Sequence, residues 1–259
     1  MSEPVRRTLS VLEFFAGSPG EAFTQAQIAD ACGISGATLH RIIKTLEDGG
    51  YIFRDSSKRC RCNLVFRKLI GLPPEYFEAL AKVVSSIVRE TKQSCEAIVV
   101  RGNEFEWYHK EEHAELSVQI RARTGYRRGM NELDSLSRLY LSGLGWAEVE
   151  RRFDVDAFYR TGIRHELVAS AEARRIVEAA DPQGVEYDIE GNRRIVRRFA
   201  TSVRGPHGEW LHILSIAEAA YPLTDEAGHV QKNIAILNKG RQDLERYARQ
   251  LSEIPHAAQ

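Results

Sequence analysis

The sequence has no excess of either charge: 36 Lys and Arg stand against 36 Asp and Glu in 259 residues. That balance excludes a chain that is basic over its whole surface. It leaves room for a local basic patch, because a charged partner responds to the local field. No run approaches the ~18 apolar residues of a membrane-crossing helix, so no membrane partner is expected. The opening MSEPVRRTLSVLEFF lacks a small-residue cleavage site after an apolar stretch, so no secretory leader is expected. Four cysteines are too few for a disulfide framework in a chain this long, and a reducing cytoplasm is the expected setting. Internal repeats, low-complexity tracts, a phosphate-binding loop and a Gly-x-Ser-x-Gly elbow are all missing from the sequence. What is present is a globular composition, with enough chain for one large domain or two ordinary ones.

The charge is unevenly placed. Residues 1–70 carry ten Lys and Arg against seven acids, a balance of +3, so residues 71–259 carry −3. The positive residues cluster between Arg41 and Lys68, and Gly71-Leu72-Pro73-Pro74 follows as a natural break. The predicted division is a first domain at 1–70, a linker helix at 71–92 and a second domain at 93–259.

In the first domain Val5, Leu9, Leu12 and Phe15 recur at helical spacing, ending at Gly17-Ser18-Pro19-Gly20. Thr24 with Gln27 three residues on predicts a capping box for a second helix. Gly33 supplies a tight turn, and Ser35 is a good N-cap for a third helix. There Leu39, Ile42, Ile43 and Leu46 form one apolar stripe, with Ala37, His40, Arg41 and Lys44 opposite. Ala29, Gly33 and Leu39 have helix-turn-helix spacing: a small residue, a turn glycine and an apolar lock. Strands are predicted at 51–54 and 59–64, joined by Asp55-Ser56-Ser57-Lys58. Three helices and a basic hairpin read as a winged helix, with double-stranded operator DNA as the expected partner. A helix start carrying Gly36, Ala37 and Thr38 can enter a major groove closely. His40, Arg41 and Lys44 can reach bases or phosphates, and Lys58, Arg59 and Arg61 the flanking backbone. Thr24, Ser35 and Ser57 complete the candidate DNA-contacting set. The competing reading is a solvated face, or a winged helix that binds protein.

Residues 28–51, IADACGISGATLHRIIKTLEDGGY, resemble the IclR family of bacterial transcriptional regulators. The family pattern is a glycine turn, a Ser-Thr pair, an aliphatic residue, His-Arg, two aliphatics and a leucine, then Glu-x-x-Gly-Tyr. Thr38, His40 and Arg41 match, and Ala37 replaces the usual serine. In the wing, Cys60 and Cys62 stand where the family has Tyr and Leu. Two residues apart on a strand, they share a face. They read either as small hydrophobes in the core or as a redox or metal sensor. The resemblance implies a homodimer or homotetramer and a GAF-like effector domain.

The second domain reads as α+β, with helices around an antiparallel meander. Strands are predicted at 95–101, 105–110, 116–123, 185–188, 195–204 and 210–217. Helices are predicted at 75–92, 135–144, 147–153 and 170–180, with a long final helix capped by Thr224. Residues 184–190 (GVEYDIE), 195–203 (IVRRFATSV) and 125–131 (GYRRGMN) resemble family segments. On that alignment Arg198 takes a frequent Cys position, Ser202 a Pro position and Asn131 a His position. The candidate effector-binding residues are Met130, Asn131, Asp188, Glu190, Arg198, Ser202 and Ser215. Arg198 would grip the carboxylate of a small organic acid in a bidentate fork. Alternatively it pairs internally with Asp188 or Glu190, or it is exposed; a degenerate pocket would leave a regulator working through protein contacts alone.

His109-Lys110-Glu111-Glu112-His113 fits the inverted zinc-protease pattern. The preceding residues alternate like a strand, which would hold His109 and His113 ~13 Å apart, too far to share one zinc. A zinc hydrolase using His109, Glu112 and His113 is thus the weaker alternative. No catalytic residue, metal site or cofactor is expected, and the reading is of a non-enzyme.

Overall fold

Local signals at caps and turns set the first elements. The computed structural model describes residues 2–17, 21–63, 72–116, 118, 120–162, 164 and 166–253. The chain divides into two units, Met1–Lys68 and Leu69–Gln259. The ends of the predicted 59–64 strand and of the break at Gly71, and Ser18-Pro19-Gly20, lie outside the described residues.

In the first unit α1 (Glu3–Gly17) leads to a two-residue strand, β1 (Ala22–Phe23). The capping box then forms on α2 (Gln25–Cys32), where the Gln27 amide donates to Thr24 and the Gln27 side chain accepts from the Thr24 amide. Gly33 ends α2 at φ +61°, a conformation that favours glycine. Ser35 accepts from the Thr38 amide and caps α3 (Gly36–Asp48). Next come β2 (Ile52–Arg54) and β3 (Cys60–Cys62). The antiparallel sheet runs β1-β3-β2, which makes the wing three-stranded. The core holds Val11, Phe15, Ile28, Leu39, Ile43, Leu46, Ile52 and Cys60. One predicted stripe shifts: Val11 and Phe15 anchor α1, while Val5 and Leu9 are 49% and 43% exposed. Cys60 is fully buried in this core, Cys62 packs against it, and all four cysteines are free thiols.

The second unit opens with α4 (Pro74–Thr91), β4 (Ser94–Arg101), β5 (Glu104–Glu111), β6 (Arg127–Gly129) and β7 (Glu132–Leu133). Then come α5 (Ser135–Leu144), α6 (Trp146–Arg152), β8 (Tyr159–Arg160), β9 (Glu166–Leu167) and α7 (Ser170–Glu178). It ends with β10 (Val185–Tyr187), β11 (Val196–Arg204), β12 (Trp210–Ala219) and α8 (Glu226–Glu253). The main sheet is antiparallel throughout, in the order β10-β11-β12-β4-β5-β6. Each face has its own core. Leu136, Leu139, Trp146, Val149, Ala173 and Val177 from α5, α6 and α7 cover one face. Tyr76, Leu80, Val84 and Ile87 of α4 and Leu237 and Leu244 of α8 cover the other.

Three expectations need correction. The helix set apart as a linker at 71–92 is α4, and its side chains are core residues of the second unit. The described residues of 116–123 form no strand. Asp225, rather than Thr224, accepts the Gly228 amide at the start of α8, at 2.9 Å. A small sheet, β7-β8-β9, also forms from pairs too short to show alternation. At Gly240 of α8 an added Cβ would lie 3.0 Å from Ile87 and 3.1 Å from Leu214, so glycine lets α8 approach α4 and the sheet.

His212 is buried between β12 and α4, with Nε2 2.8 Å from the Tyr76 hydroxyl. Burial pushes its pKa down to about 4 from an ordinary 6.5. The unfolded chain therefore binds more protons than the folded one between those values, and stability rises with pH across that window. His212 contributes its full stability above about pH 6.5 and loses about 1.4 kcal/mol per pH unit on descent towards about pH 4. His212→Gln is expected to remove that slope. Urea midpoints of both proteins across the window test it, and parallel curves would contradict the assignment.

Candidate nucleic-acid face and effector cavity

The amphipathic pattern of α3 divides it cleanly. Leu39, Ile43 and Leu46 enter the core, which leaves Gly36, Ala37, His40, Arg41 and Lys44 exposed and Thr38 half-buried. The Ser35 hydroxyl also donates to Thr38 Oγ1 at 3.0 Å, which fixes the first turn. Arg54 Nε meets Glu47 at 2.8 Å, tying β2 to the end of α3. In the β2–β3 turn Asp55 Oδ1 accepts the Ser57 and Arg59 amides at 2.9 and 3.0 Å. Lys58 sits there at φ +59°, a left-handed conformation. Among the described residues the ion pairs of this unit are Arg6–Glu3, Arg7–Glu3 and Arg54–Glu47. His40, Arg41, Lys44, Lys58 and Arg59 therefore keep their positive or protonatable groups unpaired with acids. Thr24 and Ser57 are exposed as well, whereas Arg61 is half-buried and has a partner of its own.

The second unit holds a cavity of about 730 Å³ between the α5 face of the sheet and the turns around it. Trp107, Ile120, Tyr126 and Val196 give it apolar walls, and Asn131, Asn192 and Tyr159 give it polar groups. Five arginines line it: Arg121, Arg128, Arg193, Arg194 and Arg198. The two deep ones flank the Trp107 ring, with guanidinium carbons 6.0 Å (Arg128) and 5.5 Å (Arg198) from its centre. Arg128 pairs with Asp134 and lies 4.0 Å from Glu132. Burial pushes the Asp134 carboxyl up, but the Arg128 guanidinium outweighs it and holds Asp134 below the usual carboxylate range. Arg198 Nε meets Glu96 at 3.1 Å, and both side chains are buried.

The sequence-derived effector set is only partly gathered here. Asn131 and Arg198 line the cavity. Met130 is buried in the core instead. Asp188 accepts the Ser135 amide at 2.7 Å and pairs with Arg138 at 2.8 Å, so it anchors the start of α5. Glu190 is exposed on a turn. The Ser202 hydroxyl donates to the Pro182 carbonyl at 2.8 Å, and the buried Ser215 hydroxyl has no hydrogen-bond partner among the described residues. Arg198 is paired internally, but with Glu96 rather than with Asp188 or Glu190. That partner is 102 residues away in sequence. An acid inside the otherwise apolar run of β4 was the signal, because a buried carboxylate requires a cation. His109 lies on β5 and Glu112 pairs with Lys110 at 2.7 Å, so the zinc motif has no helix beneath it. Among the described residues no cluster of His, Cys, Asp or Glu is placed to hold a metal ion.

Residues 4–56 match the IclR helix-turn-helix domain. Over nearly the whole chain, the fold is that of an IclR from Thermotoga maritima (TM-score 0.56, 14% identity, 95% of this chain and 98% of that one). Residues 4–56 thus form an IclR-type helix-turn-helix domain. An IclR transcriptional regulator from Alicyclobacillus acidocaldarius gives TM-score 0.57 at 15% identity, over 96% of this chain and 99% of that one. An IclR homolog from Microbacterium hydrocarbonoxydans, complexed with 4-hydroxybenzoate, gives 0.55 at 17% identity, over 96% of this chain and all of that one. A curated relative is the HTH-type transcriptional regulator KipR of Bacillus subtilis, 26% identical over 152 residues. That alignment spans 58% of this chain and 59% of the relative.

In this helix-turn-helix domain the Asp55 carboxylate reinforces a wing turn that backbone hydrogen bonds also close. Asp55→Ala is expected to cost about 1 kcal/mol through two lost hydrogen bonds, and to raise exchange of the Ser57 and Arg59 amides roughly fivefold. Hydrogen-exchange rates measure this, and unchanged rates would show that the turn holds itself.

Proposed function

We propose that the chain is a sequence-specific, DNA-binding transcriptional regulator whose DNA affinity is modulated by a small organic acid. The observation that carries the reading is that His40, Arg41, Lys44, Lys58 and Arg59 are exposed and, among the described residues, in no ion pair, in a domain that matches the IclR helix-turn-helix. The start of α3 contacts bases in the major groove, with phosphates held by the wing. Binding as a homodimer or homotetramer in the cytoplasm supplements the small interface of one winged helix by pairing on a two-fold operator. The arginine-lined cavity and the 4-hydroxybenzoate complex of a structural relative support an organic-acid effector. Such an effector acts only through its different affinity for DNA-competent and DNA-incompetent states. The protein is read as a regulator, not an enzyme.

The Arg198–Glu96 pair favours a second reading. With that deep cation already neutralised, the cavity is idle and regulation runs through protein contacts.

A gel shift with the chain's own upstream DNA, repeated across salt, tests the primary reading. Affinity should fall linearly with salt on logarithmic axes, at a slope of about −0.9 per phosphate neutralised. Arg41→Ala with Lys44→Ala should weaken binding at least tenfold (about 1.4 kcal/mol) without altering the helical signal in circular dichroism. No binding at low salt would overturn DNA binding. DNA binding untouched by any aromatic or aliphatic acid would favour the second reading.

A further inference from the structure

The cavity's cations fall into two classes. Arg128 and Arg198 lie deep, and each is answered by a buried carboxylate, Asp134 or Glu96. Arg121, Arg193 and Arg194 are exposed at the rim, and among the described residues none has a carboxylate within ion-pair distance. An anion driven to the deep arginines would have to displace acids already bound to them and to shed its own water. The rim arginines are unpaired and still hydrated, so they can receive an anionic head at lower cost.

The segment that presents them is built rather than loose. Asn192 Oδ1 accepts the Arg194 and Val196 amides at 3.0 and 3.3 Å. The Ile195 amide donates to the Asn192 carbonyl at 2.7 Å. Arg194 donates to the Tyr126 hydroxyl at 3.1 Å, which ties the turn to the aromatic wall. Ile195 is held at φ +57° and is 60% exposed, a conformation disfavoured for a β-branched residue. Local strain of this kind persists where the surroundings enforce it, and here they hold two cations beside an apolar opening.

We propose that the effector is an amphipathic anion with a dianionic head, of the phosphate-monoester class, bound head-outward. The apolar body enters against Trp107 and Tyr126, and the head is held at the rim by Arg193 and Arg194 with Arg121 nearby. This inference rests on the effector reading of the cavity and reverses the orientation expected from a carboxylate clamp at Arg198.

Calorimetry on the full chain without DNA tests it, with phenyl phosphate and benzoate as probes. The rings match, and the heads carry about two charges and one at neutral pH. Phenyl phosphate is expected to bind at least about tenfold more tightly, as two charge-assisted contacts predict. R193Q/R194Q should abolish that preference, while R193K/R194K, which keeps the charge, should restore most of it. Equal affinities overturn the proposal. So does a preference that survives R193Q/R194Q, or silence with both probes. Silence also removes the effector reading of the cavity. Loss of DNA binding in the salt series would leave a positive result here standing.

Discussion

A buried guanidinium must have its charge and its N–H groups answered, and this constraint pins the register of the second unit's central sheet. Arg197 and Arg198 are neighbours on β11, so they point to opposite faces. Arg198 reaches Glu96 on β4 and Arg197 reaches Glu218, its register partner on β12. Arg197 also donates to the carbonyls of Ile189 and Tyr221, which fastens two turns to the sheet edge. A slip of one residue would send both cations to the wrong faces and strand both acids. Breaking one buried pair by removing a partner costs about 3–5 kcal/mol, so the register is strongly specified. At the mouth of α5 the same rule operates through Arg128 with Asp134 and Arg138 with Asp188.

The placing of paired and unpaired cations separates structural from ligand-facing roles. The buried Arg197 and Arg198 of β11 each have an acid, whereas Arg41 and Lys44 on α3 and Arg193 and Arg194 at the cavity rim have none among the described residues. Exposed positive groups without partners keep their hydration and their field, which are what a polyanion reads. Composition conceals this arrangement, since the chain's charges sum to zero.

Much of the first unit was legible because its signals are local. Thr24 and Gln27, Gly33 and Ser35 each act within four residues, and the α3 stripe from Leu39 to Leu46 repeats over about two turns. The errors arose where tertiary contact decides. On α1 several apolar residues compete for the core, and Val11 and Phe15 win over Val5 and Leu9 because of where α2 and β1 pack. Two-residue strands such as β1 and β7 carry no periodicity to detect. In the cavity, Arg198 meets Glu96 rather than Asp188 or Glu190, because Glu96 is on another strand and no spacing rule connects the two. The family alignment placed Asp188 in the effector site, and the structure instead gives it to the start of α5.

Trp107 carries an optical consequence. Its indole forms part of the cavity wall, lies between two guanidinium groups and meets Tyr126 edge-on at 5.1 Å between ring centres. The chain has three tryptophans, and neither Trp146 nor Trp210 lines that cavity. The emission of Trp107 is therefore set by the same charges a guest would meet, which gives the cavity a built-in fluorophore that reports occupancy without any label.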